Sequence, residues 1–270
     1  PKPVTALQDE PPGDAGAPSS RHIIERPDAE ALFVETFDHD RIVGLVTGGA
    51  GERFREEMKP AVDDGRLRLI SPRWRQSTWA AFAAVADGPS SFVEVAWSMV
   101  MTRGTEGAGF LWLPVADHGN AGEAPAVEAW EAPSLPRTLG IGFDASNPFT
   151  LDPFSGSGNI YDRPQHEVSI HWDGMERVKR TSPVEFRDGK PHDVRVRWDA
   201  VTGGALVTVT IDEQSVFDGY FVPHLACDFG RPAFGARNGE TAGAVTIDDL
   251  EVVIGPPVPA AAEPLHVVAL

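Results

Sequence analysis

The chain has 270 residues and a single cysteine, and its 40 acidic against 23 basic residues give a formal net charge of −17. That length suits one large all-β domain or two small ones. Cys227 has no intrachain partner, and the acidic excess argues against nucleic acid or an anionic membrane surface as a partner, since both demand a basic face.

Residues 1–30 are rich in Pro, Gly, Ala and acids without any period, and read as a linker or tail. The opening PKPVTALQDEPPGDAGAPSS lacks a signal-peptide pattern and reads as the start of a mature chain or as an interdomain linker. The ordered body is expected over 31–254, with 255–270 as a Pro/Ala-rich tail, so the chain reads as part of a larger multidomain protein. No apolar run approaches the roughly 20 residues of a membrane span, and no membrane insertion is expected. The one helix-like stretch is ERFREEMKPAV (52–62), interrupted at Pro60.

From residue 91 onward the dominant period is two. In SFVEVAWSMVMT (91–102), Val93, Val95, Trp97 and Met99 share one side. GFLWLPVA (109–116) and TLGIGFD (138–144) follow. HEVSIHWD (166–173) puts Val168, Ile170 and Trp172 opposite Glu167, Ser169 and His171. HDVRVRWD (192–199) puts Val194, Val196 and Trp198 opposite Arg195, Arg197 and Asp199. Strands are also expected over 205–213, 215–222, 231–238 and 244–254, separated by the turn signals RDGKP, TGG and NGETAG. The pattern predicts an all-β, two-sheet antiparallel sandwich with Trp97, Trp172 and Trp198 in its middle layer.

Between two of these strands, oxygen ligands crowd together: Asp144, Asn147, Asp152 and Asp162, followed by His166. Calcium takes six to eight oxygens from carboxylates, amides and carbonyls, and Asp144, Asn147 and Asp152 with a backbone carbonyl form such a set. A second ion using His166 would need nitrogen and carboxylate ligands, with Asp162 replacing Asp152. Turn chemistry alone also accounts for a loop rich in Asp, Asn and Pro.

The order of segments GRLRLISPRWRQSTWAAF (65–82), TEGAGFLWL (105–113), LGIGFDASNPFTLDP (139–153) and RPAFGARNGETAGAVTIDDLEV (231–252) resembles the concanavalin A-like jelly roll, and within it the legume-type (L-type) lectins and their bacterial relatives. The resemblance implies that Asp144 is the shared metal-bridging aspartate, that Asn147 serves both calcium and sugar, and that Asp152 before Pro153 is the second aspartate. It implies a transition-metal role for His166 and a sugar-binding role for Glu106. An aromatic ring, Trp112, Phe149 or Phe154, would stack on the sugar's apolar face. Two positions depart from the family pattern. Gly142 stands where a glutamate completes the transition-metal site, and Glu106 is one methylene longer than the usual aspartate.

The expectation is therefore a calcium-dependent, carbohydrate-binding module, extracytoplasmic and without catalysis of its own, with a glycan or polysaccharide as partner. The alternative is a glycoside hydrolase or polysaccharide lyase of the same fold, working through acids on the concave sheet. Glycosidases need two carboxylates about 5–9.5 Å apart, and the only pairing the sequence offers is a cross-strand one such as Glu94 with Glu167. A third reading is a structural or adhesive domain. Polar stripes such as Glu167, Ser169, His171 and Asp173 are expected to be the solvated face of a sheet, or else to line a binding groove. Cys227 is expected to be a buried apolar residue.

Overall fold

Alternation with period two has one packing solution, two sheets burying their apolar faces against each other. A computed structural model of the chain, which describes residues 29–39, 42–50, 58–85, 88–146, 164–239 and 242–257, has this architecture. In chain order the elements are β1 (Ala31–Glu35), β2 (Val46–Ala50), β3 (Ala61–Asp63), β4 (Arg66–Ile70), β5 (Gln76–Ala81), β6 (Phe92–Met101), β7 (Gly107–Pro114), α1 (Val115–His118), β8 (Leu139–Ser146), β9 (Pro164–Trp172), β10 (Met175–Thr181), β11 (Pro191–Val201), β12 (Gly204–Ile211), β13 (Gln214–Pro223), β14 (Gly230–Asn238) and β15 (Val245–Ile254). Sheet I runs β13-β12-β11-β6-β15-β4-β3, with β1 also on β15; sheet II runs β10-β9-β8-β7-β14-β5-β2. Every strand pair is antiparallel.

All nine strands expected from the period are present. The helix-like reading of 52–62 fails at its end, where Ala61–Asp63 is β3; residues 52–57 lie outside the described residues. The expected turn after Asp173 is a tight hairpin, with Asp173 and Gly174 both at positive φ (54° and 76°), and it leads into β10. This strand has no apolar alternation because it is an exposed sheet edge.

Between the sheets, Trp97 of β6 stacks among Phe110, Phe143 and Phe234 at centroid distances of 5.5, 6.0 and 5.1 Å. Trp198 packs edge-on against Trp112 at 5.3 Å. Trp97 and Trp198 are buried and Trp172 packs against the core from its margin, as expected. Cys227 is buried, its thiol donates to the Trp198 carbonyl (3.3 Å), and burial pushes its pKa up to about 12. At neutral pH it is a small apolar residue rather than a nucleophile.

The outer face of sheet II carries a second, smaller core. Residues 119–138 cross it as a strap whose Trp130, 1% exposed, packs with Ala124 on Ala81, Leu111, Leu113 and Ala233. The strap can lie so close because Gly235, Gly109 and Gly142 are direct cross-strand neighbours. A Cβ at Gly235 would overlap the Trp130 ring, and one at Gly142 would overlap the Glu131 carbonyl and the Ser169 hydroxyl. Arg231, 1% exposed, anchors the start of the strap by donating to the carbonyls of Gly122 and Glu123, both at 2.8 Å. The polar stripe of β9 is therefore not a solvated face. Ser169 and His171 are 3% and 2% exposed under the strap, with His171 between the Ser169 and Ser134 hydroxyls (2.8 and 2.7 Å).

Candidate binding site at the crossover pole

Several connections pass between the sheets at the same end of the sandwich, among them 71–75, 102–106, 182–190 and 239–244. Asn238, 1% exposed, ties 71–75 to 239–244. Its side-chain nitrogen lies 3.2, 3.0 and 2.6 Å from the carbonyls of Ser71, Arg73 and Gly243. Thr102 and Ala244 are joined by the Thr102 N–H to the Ala244 carbonyl (3.0 Å) and by the Ala244 N–H to the Thr102 hydroxyl (2.8 Å).

The pole carries Glu106 and Asp144. Gly107 of β7 pairs with Asp144 of β8, and the Ala145 N–H donates to the Glu106 carbonyl at 2.9 Å. Asp144 in turn pairs with Glu167 of β9. The Glu106 side chain is 7% exposed, with its carboxylate 2.9 Å from Nε of Arg237 and close above Gly239, where a Cβ would overlap it. Arg237 also grips Glu131 of the strap through Nη2 and through Nε at 3.2 Å. Burial lowers the Arg237 pKa, but Glu131, Glu106 and Asp144 outweigh it and hold it above the ordinary guanidinium value. Arg237 thus stands among three carboxylates, and Asp144 also acts on Lys179.

Of the residues expected to bind metal, Asp144 and His166 are described; Asn147, Asp152 and Asp162 lie outside the described residues, as do Phe149 and Phe154. His166 is half-buried, its Nδ1 makes no hydrogen bond among the described residues, and it lies 3.9 Å from the Glu185 carboxylate. No group of three His, Cys, Asp or Glu that could hold an ion occurs among the described residues. The strap leaves no room for a glutamate at 142, so the transition-metal set expected around His166 lacks that ligand for a steric reason. Asp144 lies two residues before the end of β8 at Ser146.

Two expectations need correction. Trp112 is 3% exposed, and its indole N–H donates to the Asp228 carbonyl (3.0 Å), so its ring belongs to the core. Glu94 and Glu167 lie on different sheets and form no catalytic pair: Arg195 and Arg197 neutralise Glu94, and Lys179 lies 3.0 Å from Glu167. Among the described residues this pole exposes Trp74, 63% exposed on the 71–75 crossover. The next residue, Arg75, donates its N–H to the Gly239 carbonyl (3.0 Å) beside Glu106. The signal for it was the run SPRWRQ, a tryptophan between two arginines, outside any apolar alternation.

No protein-family model matches this chain, and no curated protein matches it in sequence. Among solved structures it is similar to the carbohydrate recognition domain of Emp47p (14% identity, TM-score 0.58, covering 84% of this chain and 99% of that one). It is similar to lectin II from Ulex europaeus (12%, 0.58, 83% and 98%). It is also similar to the VIP36 exoplasmic/lumenal domain, solved in a Ca2+/Man3GlcNAc-bound form (12%, 0.55, 87% and 93%). The two sheets, their order and these likenesses agree: the chain has the concanavalin A-like fold of legume-type lectin domains.

Proposed function

We propose that the chain is a calcium-dependent carbohydrate-binding module whose site is the crossover pole. The observation that carries this reading is the meeting of Glu106, just before β7, with Asp144 of β8, at a pole that also exposes a tryptophan, on this fold. Trp74 offers a flat apolar face for a pyranose ring. Asn147 and a rim of backbone and carboxylate oxygens offer hydrogen-bond partners to its hydroxyls. Glu106 is held by Arg237 above Gly239, so a sugar hydroxyl that it binds shares its carboxylate with that guanidinium.

Asp144, Asn147 and Asp152 would hold the calcium ion, which when bound supplies positive charge and order to the 147–152 segment. Rigidity matters here because weak sugar contacts leave little free energy to offset ordering a loop. Similar structures support the class of ligand: lectin UEA-II was solved in complex with galactose and VIP36 with Man3GlcNAc. The VIP36 domain is exoplasmic or lumenal, which favours an extracytoplasmic location for this chain as well. No helix among the described residues is long and apolar enough to cross a membrane.

The test is a glycan array read with calcium and with a chelator, alongside thermal unfolding. Calcium at 100 times its Kd should stabilise the fold by about 2.7 kcal/mol, and Asp144→Ala should remove that gain. Trp74→Ala should abolish glycan capture while leaving the calcium effect intact. An array that stays blank at saturating calcium overturns the carbohydrate reading.

A further inference from the structure

The opposite pole holds a second concavity. β7 and β9 end there, β8 begins there, and the 223–229 connection of sheet I closes over them. Between them lies a cleft of about 820 Å3, within the range of small-molecule pockets. Its lining is mostly apolar: Trp112, Leu139, Trp172, Leu225 and Phe229, with prolines at the rim.

The charged groups of the rim are Asp117, Asp173 and Asp228 against Arg137 and Arg177, and they are unequally satisfied. Asp117 pairs with the Arg137 guanidinium, and the Asp173 carboxylate accepts the Arg137 backbone N–H at 3.0 Å. Arg177 has no carboxylate within ion-pair distance among the described residues; its Nε donates to the Trp172 carbonyl at 3.1 Å. It is half-buried, unlike an ordinary surface arginine. It also sits in a β-bulge, because the β9–β10 register shifts between Glu176 and Val178. Bulges re-aim side chains and recur beside functional sites. The bulge is pinned from sheet I by the Tyr220 hydroxyl, which donates to the Arg177 carbonyl at 3.1 Å. Two further lining residues, Arg137 and His224, are held at φ of 54° and 62°, a conformation that side chains of this kind adopt at a cost. The rim is built, and it leaves one guanidinium facing an apolar hollow.

We propose that this cleft binds a small amphipathic carboxylate, with its apolar body against Trp172, Leu225 and Phe229 and its carboxylate on Arg177. A guanidinium takes a carboxylate through paired, charge-assisted hydrogen bonds. An apolar body gains by leaving water for the floor of the cleft. The site is independent of the crossover pole and of calcium.

Titration of the full chain with 3-phenylpropanoate in the presence of a chelator, followed by calorimetry, tests this. The acid should bind saturably and at least about tenfold more tightly than its neutral amide, 3-phenylpropanamide. Arg177→Met should bring the acid down to the affinity of the amide and leave the amide unchanged, and Arg177→Lys should restore part of the difference. Ala226→Trp, which fills the cleft from its exposed rim, should abolish binding of both, with the melting temperature of each variant confirming its fold. Glucuronate, an anion without an apolar body, should not bind. The proposal is overturned if acid and amide bind alike, if glucuronate binds as well as phenylpropanoate, if Arg177→Met lowers both ligands equally, or if no saturable binding appears by 10 mM. Asp144→Ala should have no effect on any of these titrations, so failure here and failure of the lectin reading are separate results.

Discussion

His171 and His192 are both largely buried and titrate in opposite senses. Burial alone drives the His171 pKa down to about 4, since its neighbours are the hydroxyls of Ser134 and Ser169 rather than carboxylates. Below its unfolded pKa the unfolded chain takes up a proton that the folded chain refuses, so stability falls as pH drops from about 6.5 to 4. The cost on completion is about 3 kcal/mol. Urea unfolding at pH 4.5 and 7 should show this loss, and His171→Gln should flatten it. For His192, burial opposes the charge, but Asp212 (2.7 Å) and Asp188 (3.1 Å) outweigh it and raise the pKa. Its contribution is present below pH 6.5 and is lost as pH rises through the raised value. Arg237 is the other residue on which much depends. Arg237→Met removes the guanidinium that Glu106 and Glu131 share and should cost about 3 kcal/mol in chemical denaturation.

The strap is the element that most changes what the sandwich presents. Its hold is distributed among Arg231 at its start, Arg237 on Glu131, Ser134 on His171 and the Arg137 N–H on Asp173. The glycine row of sheet II makes the close approach feasible. Gly235→Ala sets a methyl group into the Trp130 ring and should cost about 2 kcal/mol as an overpacked contact. The expected signature is a red-shifted tryptophan emission and faster proteolysis within 119–138, with the far-ultraviolet dichroism of the sandwich unchanged. If Trp130 emission stays put, the strap is not held by that contact. With the strap in place, acids on this face of β9 have no open groove to work in, and this weighs against the hydrolase alternative.

At the scale of the molecule, net charge and topology govern behaviour. With a formal charge of −17 the folded chain repels itself, and added salt screens that repulsion. Raising NaCl from 10 to 200 mM should therefore raise the melting temperature, and a fall would show that attractive ion pairs dominate instead. Several strands that pair are far apart in sequence: β1 lies on β15, with Ala31 opposite Ile254, and β7 lies on β14. Such non-local pairing is slow to form, so refolding should take milliseconds to seconds.

The apolar alternation of Val93, Val95, Trp97, Val194, Val196 and Trp198 was enough to determine the strands, their buried faces and the sandwich, because a one-residue slip would turn each of those faces to water. The order of loop and strand segments was enough to point to the lectin-type jelly roll. Strands without a one-sided apolar face, such as the edge strand β10, left no such mark. Nor did any local pattern show that Trp112 faces inward or that Glu94 and Glu167 belong to different sheets. Those facts depend on which strands neighbour one another across more than a hundred residues. The glycines at 109, 142 and 235 were visible in the sequence, but only the strand register aligns them into a floor, and only the strap lying on it gives them a purpose. Period fixes which side of a strand meets the core; which side chains then meet each other is a property of the assembled sheets.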